Sequence, residues 1–399
     1  MNSKQQYIDL FRAHRDLLEQ HAAPVTNRPR EEAAALLEQQ GLPDRKTESY
    51  KYTDARAAFA PNFGVNLKRL LPKANPYDTF RCQVPNLSTS LFFVLNDVPV
   101  PAPLHTQSLL PEGVTVDSFS RVEKKRPGWL EAFYHRAASH ERDFKTGHDG
   151  VTLLNTMLAQ DGLVIYIPDN VRMDRTIQVV NILRSDVGMM VNRRVLIIAG
   201  RNAEADILFC DHSADNQEFL TTQVVEIYCK ENAHLQVYGL EETHLKNTLV
   251  SNTYIEQQRD SHFSHTLMTL HNGRTRQTTR LMFKGEGAEC NLYGGVIADK
   301  EQHVDNNTVI DHAVAHCDSH ETYKYVLDGK AVGAFAGKVL VRHGAQKTTS
   351  EETNQNLIAT KTARMFTQPM LEIYADDVKC SHGSTIGQLN DKALFYMQQ

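Results

Sequence analysis

With 399 residues, 41% of them hydrophobic and 23% charged, the chain can bury a substantial core and has room for more than one domain, which excludes a disordered tail. Its start, Met1-Asn-Ser-Lys-Gln-Gln, lacks an apolar signal core, and no stretch reaches the roughly 18 apolar residues that span a bilayer, so a cytoplasmic protein without a membrane segment is expected. A net charge of −5 without long like-charge runs, and basic residues not interleaved with aromatics on one face, argue against a nucleic-acid ligand.

Ile8, Phe11, Leu17 and Leu18 recur at helical spacing and predict a first helix. A second is predicted over Pro29-Arg-Glu-Glu-Ala-Ala-Ala-Leu-Leu, with Thr26 and Asn27 as cap candidates and Gly41 as the stop. Between about Asn75 and Pro111, short apolar runs such as Ser90-Leu-Phe-Phe-Val-Leu are broken by prolines and read as strands and loops. Trp129 to His140 predicts one more helix, with Trp129, Phe133 and Ala137 on a common face, after which the helical signal largely stops.

From Leu163 onward the chain is a succession of β-rich runs, among them Leu163-Val-Ile-Tyr-Ile, Ile177-Gln-Val-Val-Asn-Ile-Leu, Arg194-Val-Leu-Ile-Ile-Ala, Ala205-Asp-Ile-Leu-Phe-Cys and Val224-Val-Glu-Ile-Tyr-Cys. Such runs fit a sandwich, a barrel or a solenoid. Turn-then-strand segments around Ala203, Ala233, Ala288 and Ala363 recur near multiples of about 25 to 30 residues, the scale of one coil of a parallel β-helix. The period alone does not decide between that and a sandwich.

The cysteines Cys82, Cys210, Cys229, Cys290, Cys317 and Cys380 are scattered without a C-x-x-C pair, so reduced thiols are expected and no zinc ribbon or ferredoxin-type site can be written locally. Cys380 and His382 are two apart, which on a strand points both to one face. A thiolate and a neutral imidazole can ligate a soft or borderline metal, but two donors do not close a site. His312, His316 and His320 would align on a helix, whereas the surrounding residues read as strand, so ordinary structural histidines are favoured there. Asp376-Asp377 could be general acid and base in a β-helix enzyme, yet adjacent strand residues face opposite ways, and a turn is favoured. Gly329, Gly333 and Gly337 form no phosphate loop, since no G-K-[S/T] follows.

Gly41-Leu-Pro-Asp-Arg-Lys-Thr-Glu-Ser-Tyr-Lys-Tyr-Thr-Asp is similar, with Tyr50 in place of tryptophan, to the G-L-P-x-R-K-x-E-x-W-K-Y-T-D motif of the SufB/SufD family of iron–sulfur cluster assembly proteins, which the chain resembles. Asp161-Gly-Leu-Val-Ile-Tyr-Ile-Pro, Ser319-His-Glu-Thr-Tyr-Lys, Leu327-Asp-Gly-Lys-Ala-Val-Gly-Ala-Phe-Ala-Gly-Lys-Val, Ala345-Gln-Lys-Thr, Glu351-Glu-Thr-Asn-Gln-Asn-Leu and Leu371-Glu-Ile-Tyr-Ala-Asp-Asp-Val-Lys-Cys-Ser-His-Gly follow in the family's order. Lys379-Cys-Ser-His-Gly resembles the SufD-like branch, because SufB-like chains carry an E-H-E type sequence there.

The resemblance implies a mainly β fold: a right-handed parallel β-helix over 151–399, preceded by an N-terminal helical and mixed region over 1–150. It implies a non-catalytic scaffold that pairs with SufB, is coupled to the SufC ATPase, and presents His382 and Cys380 as interfacial metal ligands shared with SufB. No cofactor is expected in the isolated chain; the assembled complex would hold the nascent cluster of iron and sulfide, with a flavin as a further candidate. The sequence stops at Leu394-Phe-Tyr-Met-Gln-Gln, inside a motif the family continues with R-G-I and a SufC-docking helical segment, so that segment is expected to be missing here. The N-terminal helices are expected to cover one end of the coil, leaving the strands from about Leu371 to Leu389 to pair with a sister subunit, or with a second copy when the chain is isolated. Competing readings are a purely structural partner without a ligand role and a polysaccharide-active β-helix enzyme.

Overall fold

The computed structural model describes residues 3–70, 75–79, 88–138, 146–388 and 391–398. Cys82 and His140 lie outside the described residues. The N-terminal part contributes the short strands β1 (Gly64–Val65), β2 (Thr89–Leu95), β3 (Val98–Pro99) and β4 (Thr115–Ser118). From there the β-rich runs become β5 (Leu163–Ile167), β6 (Thr176–Leu183), β7 (Met189–Ala199), β8 (Glu204–Ser213), β9 (Phe219–Cys229), β10 (His234–Glu242), β11 (Thr248–Gln257) and β12 (His262–His271). They continue as β13 (Arg274–Phe283), β14 (Glu289–Ala298), β15 (His303–His312), β16 (Asp318–Leu327), β17 (Val332–Val341), β18 (Thr348–Ile358), β19 (Arg364–Ile373) and β20 (Val378–Gln388).

From β5 onward, odd-numbered strands pair in parallel in one sheet and even-numbered strands in the other, so the chain winds a parallel β-helix of about eight coils over residues 163–388. Alternation explains why the runs coil. Leu235, Val237, Phe263, Cys290, Leu292 and Ile255 point inward into one continuous core, while the intervening residues of even-numbered strands face out. No coil buries this surface alone; stacking does.

The turns follow from side-chain chemistry. Asn170, Asn202, Asn232 and Asp260 adopt left-handed φ of 54–61° at successive corners, a conformation these residue types tolerate. Asn232 Nδ2 donates to Asn202 Oδ1 at 2.9 Å and Asn202 Nδ2 to Asn170 Oδ1 at 2.7 Å, stitching corner to corner. Ala203 and Ala233 follow the Asn202 and Asn232 corners, Ala288 follows Gly287 (φ 75°) at the equivalent corner, and all three lead into even-numbered strands, as the repeat predicts. Ala363 does not: it follows the opposite corner and enters β19 of the other sheet.

The helices Ser3–Gln20, Arg30–Gln40 and Gly150–Leu158 lay Ile8, Phe11, Leu37, Leu154 and Met157 against Met190, Leu220 and Val250 on the outer side of the odd-numbered sheet. They cover a face of the coil, not its end. The end is closed by β3, antiparallel to β2, and β4, antiparallel to β5.

Three local expectations need correction. Thr26 and Asn27 do not cap the second helix; their oxygens accept from the buried Arg30 guanidinium at 3.0 Å each, and that group also donates to the Met157 carbonyl at 2.7 Å. The helix expected from Trp129 shrinks to a single 3₁₀ turn over Trp129–Ala132, because the buried Glu226 carboxylate accepts from the backbone N–H groups of His135 (2.8 Å) and Ala137 (3.1 Å). The helix Gly150–Leu158 was not anticipated: buried on every side, it shows no amphipathic period, and its start is fixed by Asp149 accepting from the N–H groups of Val151 and Thr152 at 2.7 and 3.2 Å.

Candidate functional site

Among the described residues, β19 and β20 are the edge strands of the two sheets at the end opposite β3 and β4. β20 pairs with β18 along its whole length, placing Cys380 over Ser350 and His382 over Glu352. Residues 348, 350, 352, 354 and 356 of β18 are its buried, inward set, so the same parity turns Cys380 and His382 toward the lumen at its open mouth. The two residues do share a face.

Two inward files run back from this mouth. One is Cys380, Ser350, Ser319 and Cys290. Ser350 Oγ and Ser319 Oγ are 2.8 Å apart, and Ser319 Oγ lies 2.9 Å from His312 Nε2. The other file is His382, Glu352, Glu321 and Leu292. Burial raises both glutamates above the usual carboxylate range, and Glu321 pushes Glu352 further in the same direction. Space for the Glu352 carboxyl comes from the facing strand: a Cβ at Gly337 would stand 2.3 Å from Glu352 Oε1. That close approach is what the glycine at 337 serves, consistent with its forming no phosphate loop.

Among the described cysteines Cys380 alone is not fully buried. Its thiol packs beside Val339, Val341 and Ala375, and burial raises its pKa, partly offset by the Ser350 backbone. It is thus both the last filler of the core and the one described thiol within reach of solvent. His382 is exposed.

The other sequence candidates do not converge. His312 is buried at the end of β15, its pKa pushed down to about 3 by burial; His316 occupies a left-handed corner (φ 57°); His320 sits on the outer face of β16 with Nδ1 3.9 Å from Glu351 Oε2. Among the described residues no group of three or more His, Cys, Asp or Glu side chains is arranged to hold a metal ion. Asp376 and Asp377 form the bend into β20, where the Asp377 carbonyl accepts from the Lys347 N–H at 2.6 Å and its carboxylate pairs with Lys347 Nζ. Glu321 and Glu352 were missed by sequence reasoning; strand parity relative to His382 was the signal available, and it requires the register.

The Gly41–Asp54 motif straps the odd-numbered sheet. Tyr50 Oη donates to Asp149 Oδ2 at 2.8 Å, the Arg276 guanidinium lies 3.9 Å over the Tyr50 ring, and Arg276 Nη1 donates to Asp305 Oδ2 at 2.6 Å. Thr53 Oγ1 is 3.0 Å from His303 Nε2, and Tyr52 stacks on Phe366 of β19 with ring centroids 4.9 Å apart. The motif therefore reaches the last coil from the N-terminal side. No described helix is long and apolar enough to cross a membrane.

Comparison with known proteins agrees with this architecture. Residues 181–399 match the family described as "SUF system FeS cluster assembly, SufBD core domain", and residues 1–179 match "SufBD protein N-terminal region". An iron–sulfur cluster assembly SufBD family protein of Synechocystis is 26% identical over 385 residues, covering 92% of this chain and 81% of the relative. The iron–sulfur cluster assembly protein SufD of Escherichia coli is 30% identical over 250 residues, covering 61% of this chain and 59% of the relative, and SufD of Bacillus subtilis is 23% identical over 295 residues, covering 73% and 66%. With a wound coil over residues 163–388 and family matches on both sides of its first turns, the chain belongs to the SufBD family of SUF-system iron–sulfur cluster assembly proteins.

Proposed function

We propose that the chain is a non-catalytic scaffold subunit that pairs with SufB through its last coil, is coupled to the SufC ATPase, and contributes His382, with Cys380 beside it, as ligands for nascent iron or cluster. The observation that carries this reading is the placement of both side chains on the lumen-facing side of β20, an edge strand among the described residues. Two donors do not close a site, and a partner strand beside β20 would bring the rest. Iron and sulfide enter as cargo. The chain's own contribution is to hold an imidazole and a thiol at fixed register, and to keep the Cys380 proton on until a metal displaces it.

Cys380 also supports a plainer role as core filler, since it packs against Val339 and Val341. The test is His382→Ala in the complex with SufB and SufC, assembled anaerobically. Cluster yield is expected to fall several-fold while the complex elutes unchanged on gel filtration, because an exposed polar side chain carries little packing energy. Wild-type yield in an intact complex would leave only the structural role.

A further inference from the structure

Behind His382 the lumen contains an arrangement that scaffolding alone does not require. Glu321 and Glu352 are 2% and 1% exposed, in register on neighbouring strands, so their backbones lie about 4.8 Å apart. Neither carboxyl oxygen of Glu352 meets a hydrogen-bond donor among the described residues. The Thr308 hydroxyl, 1% exposed, faces Glu321 from β15 and offers its carboxyl a hydrogen bond whose effect burial outweighs. Its in-register neighbour on β17 is Gly337, the residue that leaves room for the Glu352 carboxyl.

Burying two carboxyls side by side without a counter-charge is costly, and replacing them with apolar residues of similar size would ordinarily be neutral or stabilising. What the cluster lacks is positive charge with open coordination positions. Four carboxyl oxygens and a hydroxyl are hard donors suited to a divalent cation, and the imidazole one coil outward suits a first-row metal.

We propose that Glu321 and Glu352, with the Thr308 hydroxyl, form an internal divalent-cation site one coil inside the mouth, from which a cation passes to His382 and Cys380. The naming of ferrous iron as the physiological cation rests on the proposed function; the cation site itself does not.

The test uses the isolated 399-residue chain and Mn²⁺ as probe, followed by the loss of the free-ion electron paramagnetic resonance signal. Wild type is expected to bind one Mn²⁺ per chain and to melt at a higher temperature in its presence. In the double variant Glu321→Gln, Glu352→Gln the affinity should fall at least tenfold and the thermal shift disappear, whereas Glu351→Gln, an exposed acid on the outer face of the same strand, should change the affinity less than threefold. Gly337→Ala keeps both acids but displaces the Glu352 carboxyl, and should weaken binding also if the carboxamide variant folds poorly. No Mn²⁺ binding by wild type, or equal binding by the double variant, overturns the proposal. Neither result touches cluster yield in the His382→Ala complex, so the two readings fail separately.

Discussion

At the scale of the residue, buried charge explains more of this molecule than its surface ion pairs do. Arg276 and Asp305 are both about 1–2% exposed and joined at 2.6 Å, and the guanidinium also covers Tyr50 and donates to the Ser49 carbonyl. Removing one partner strands the other in the core, which generally costs about 3–5 kcal/mol. Arg276→Ala is therefore expected to lower the unfolding free energy from urea titration by that order. The double variant Arg276→Met, Asp305→Leu should recover much of the loss, and a double variant no more stable than Arg276→Ala would show that the strap, not the charge pair, sets the cost. The motif around Tyr50 was legible as a motif. Its work was not, because its partners Asp149, Arg276, Asp305 and Phe366 lie roughly 100 to 310 residues further along the chain.

At the scale of the element, strand identity was written in the residues but strand parity was not. Runs such as Leu163–Ile167 are buried on nearly every residue and give no alternation, because helices or neighbouring segments cover their outer side. In β10 alternation is plain, with Leu235 and Val237 inward, yet the same parity carries Glu241 into the lumen. Glu241 accepts from Thr275 Oγ1 at 2.6 Å and Thr269 Oγ1 at 3.3 Å, and the Arg193–Asp211 pair lies nearby. Burial raises its pKa from 4.5 to about 8, outweighing the threonine hydrogen bonds. The folded chain thus binds a proton that the unfolded chain releases above pH 4.5, so this stabilisation is complete below that pH and fades as pH rises through 8. Between pH 6 and 8 the loss from this group is about 2–3 kcal/mol, from about 1.4 kcal/mol per pH unit. Glu241→Gln should flatten that part of the stability curve relative to wild type in urea titrations at pH 6, 7 and 8. Parallel curves for the two proteins would mean that Glu241 is already ionised in the fold.

At the scale of the whole molecule, composition and β-rich runs left a sandwich and a solenoid both open, and the corner residues decide for the solenoid. Asn202, Asn232 and Ala233 repeat because each stacks on the coil before, a constraint that a sandwich would not impose. The repeat was faint in sequence because corners also accept Asp260, Gly287, His316 and Lys347 at positive φ, so no single residue marks them. The His382–Cys380 pair was legible from spacing and resemblance; Glu352 beneath it was not, because its place depends on the pairing of β18 with β20.

One end of this coil is closed by antiparallel strands and the other is left as paired edges carrying half-exposed Phe366, Ile373, Tyr374 and Ile386. In the proposed function, SufB sits on that end and shares the site there. Amide hydrogen exchange of the chain alone and in complex with SufB tests it most directly. Protection gained on binding should concentrate in residues 364–388, with β6 to β12 unchanged. Protection that appears over the N-terminal helices or the outer sheet faces, with β19 and β20 exchanging as in the free chain, would place SufB elsewhere.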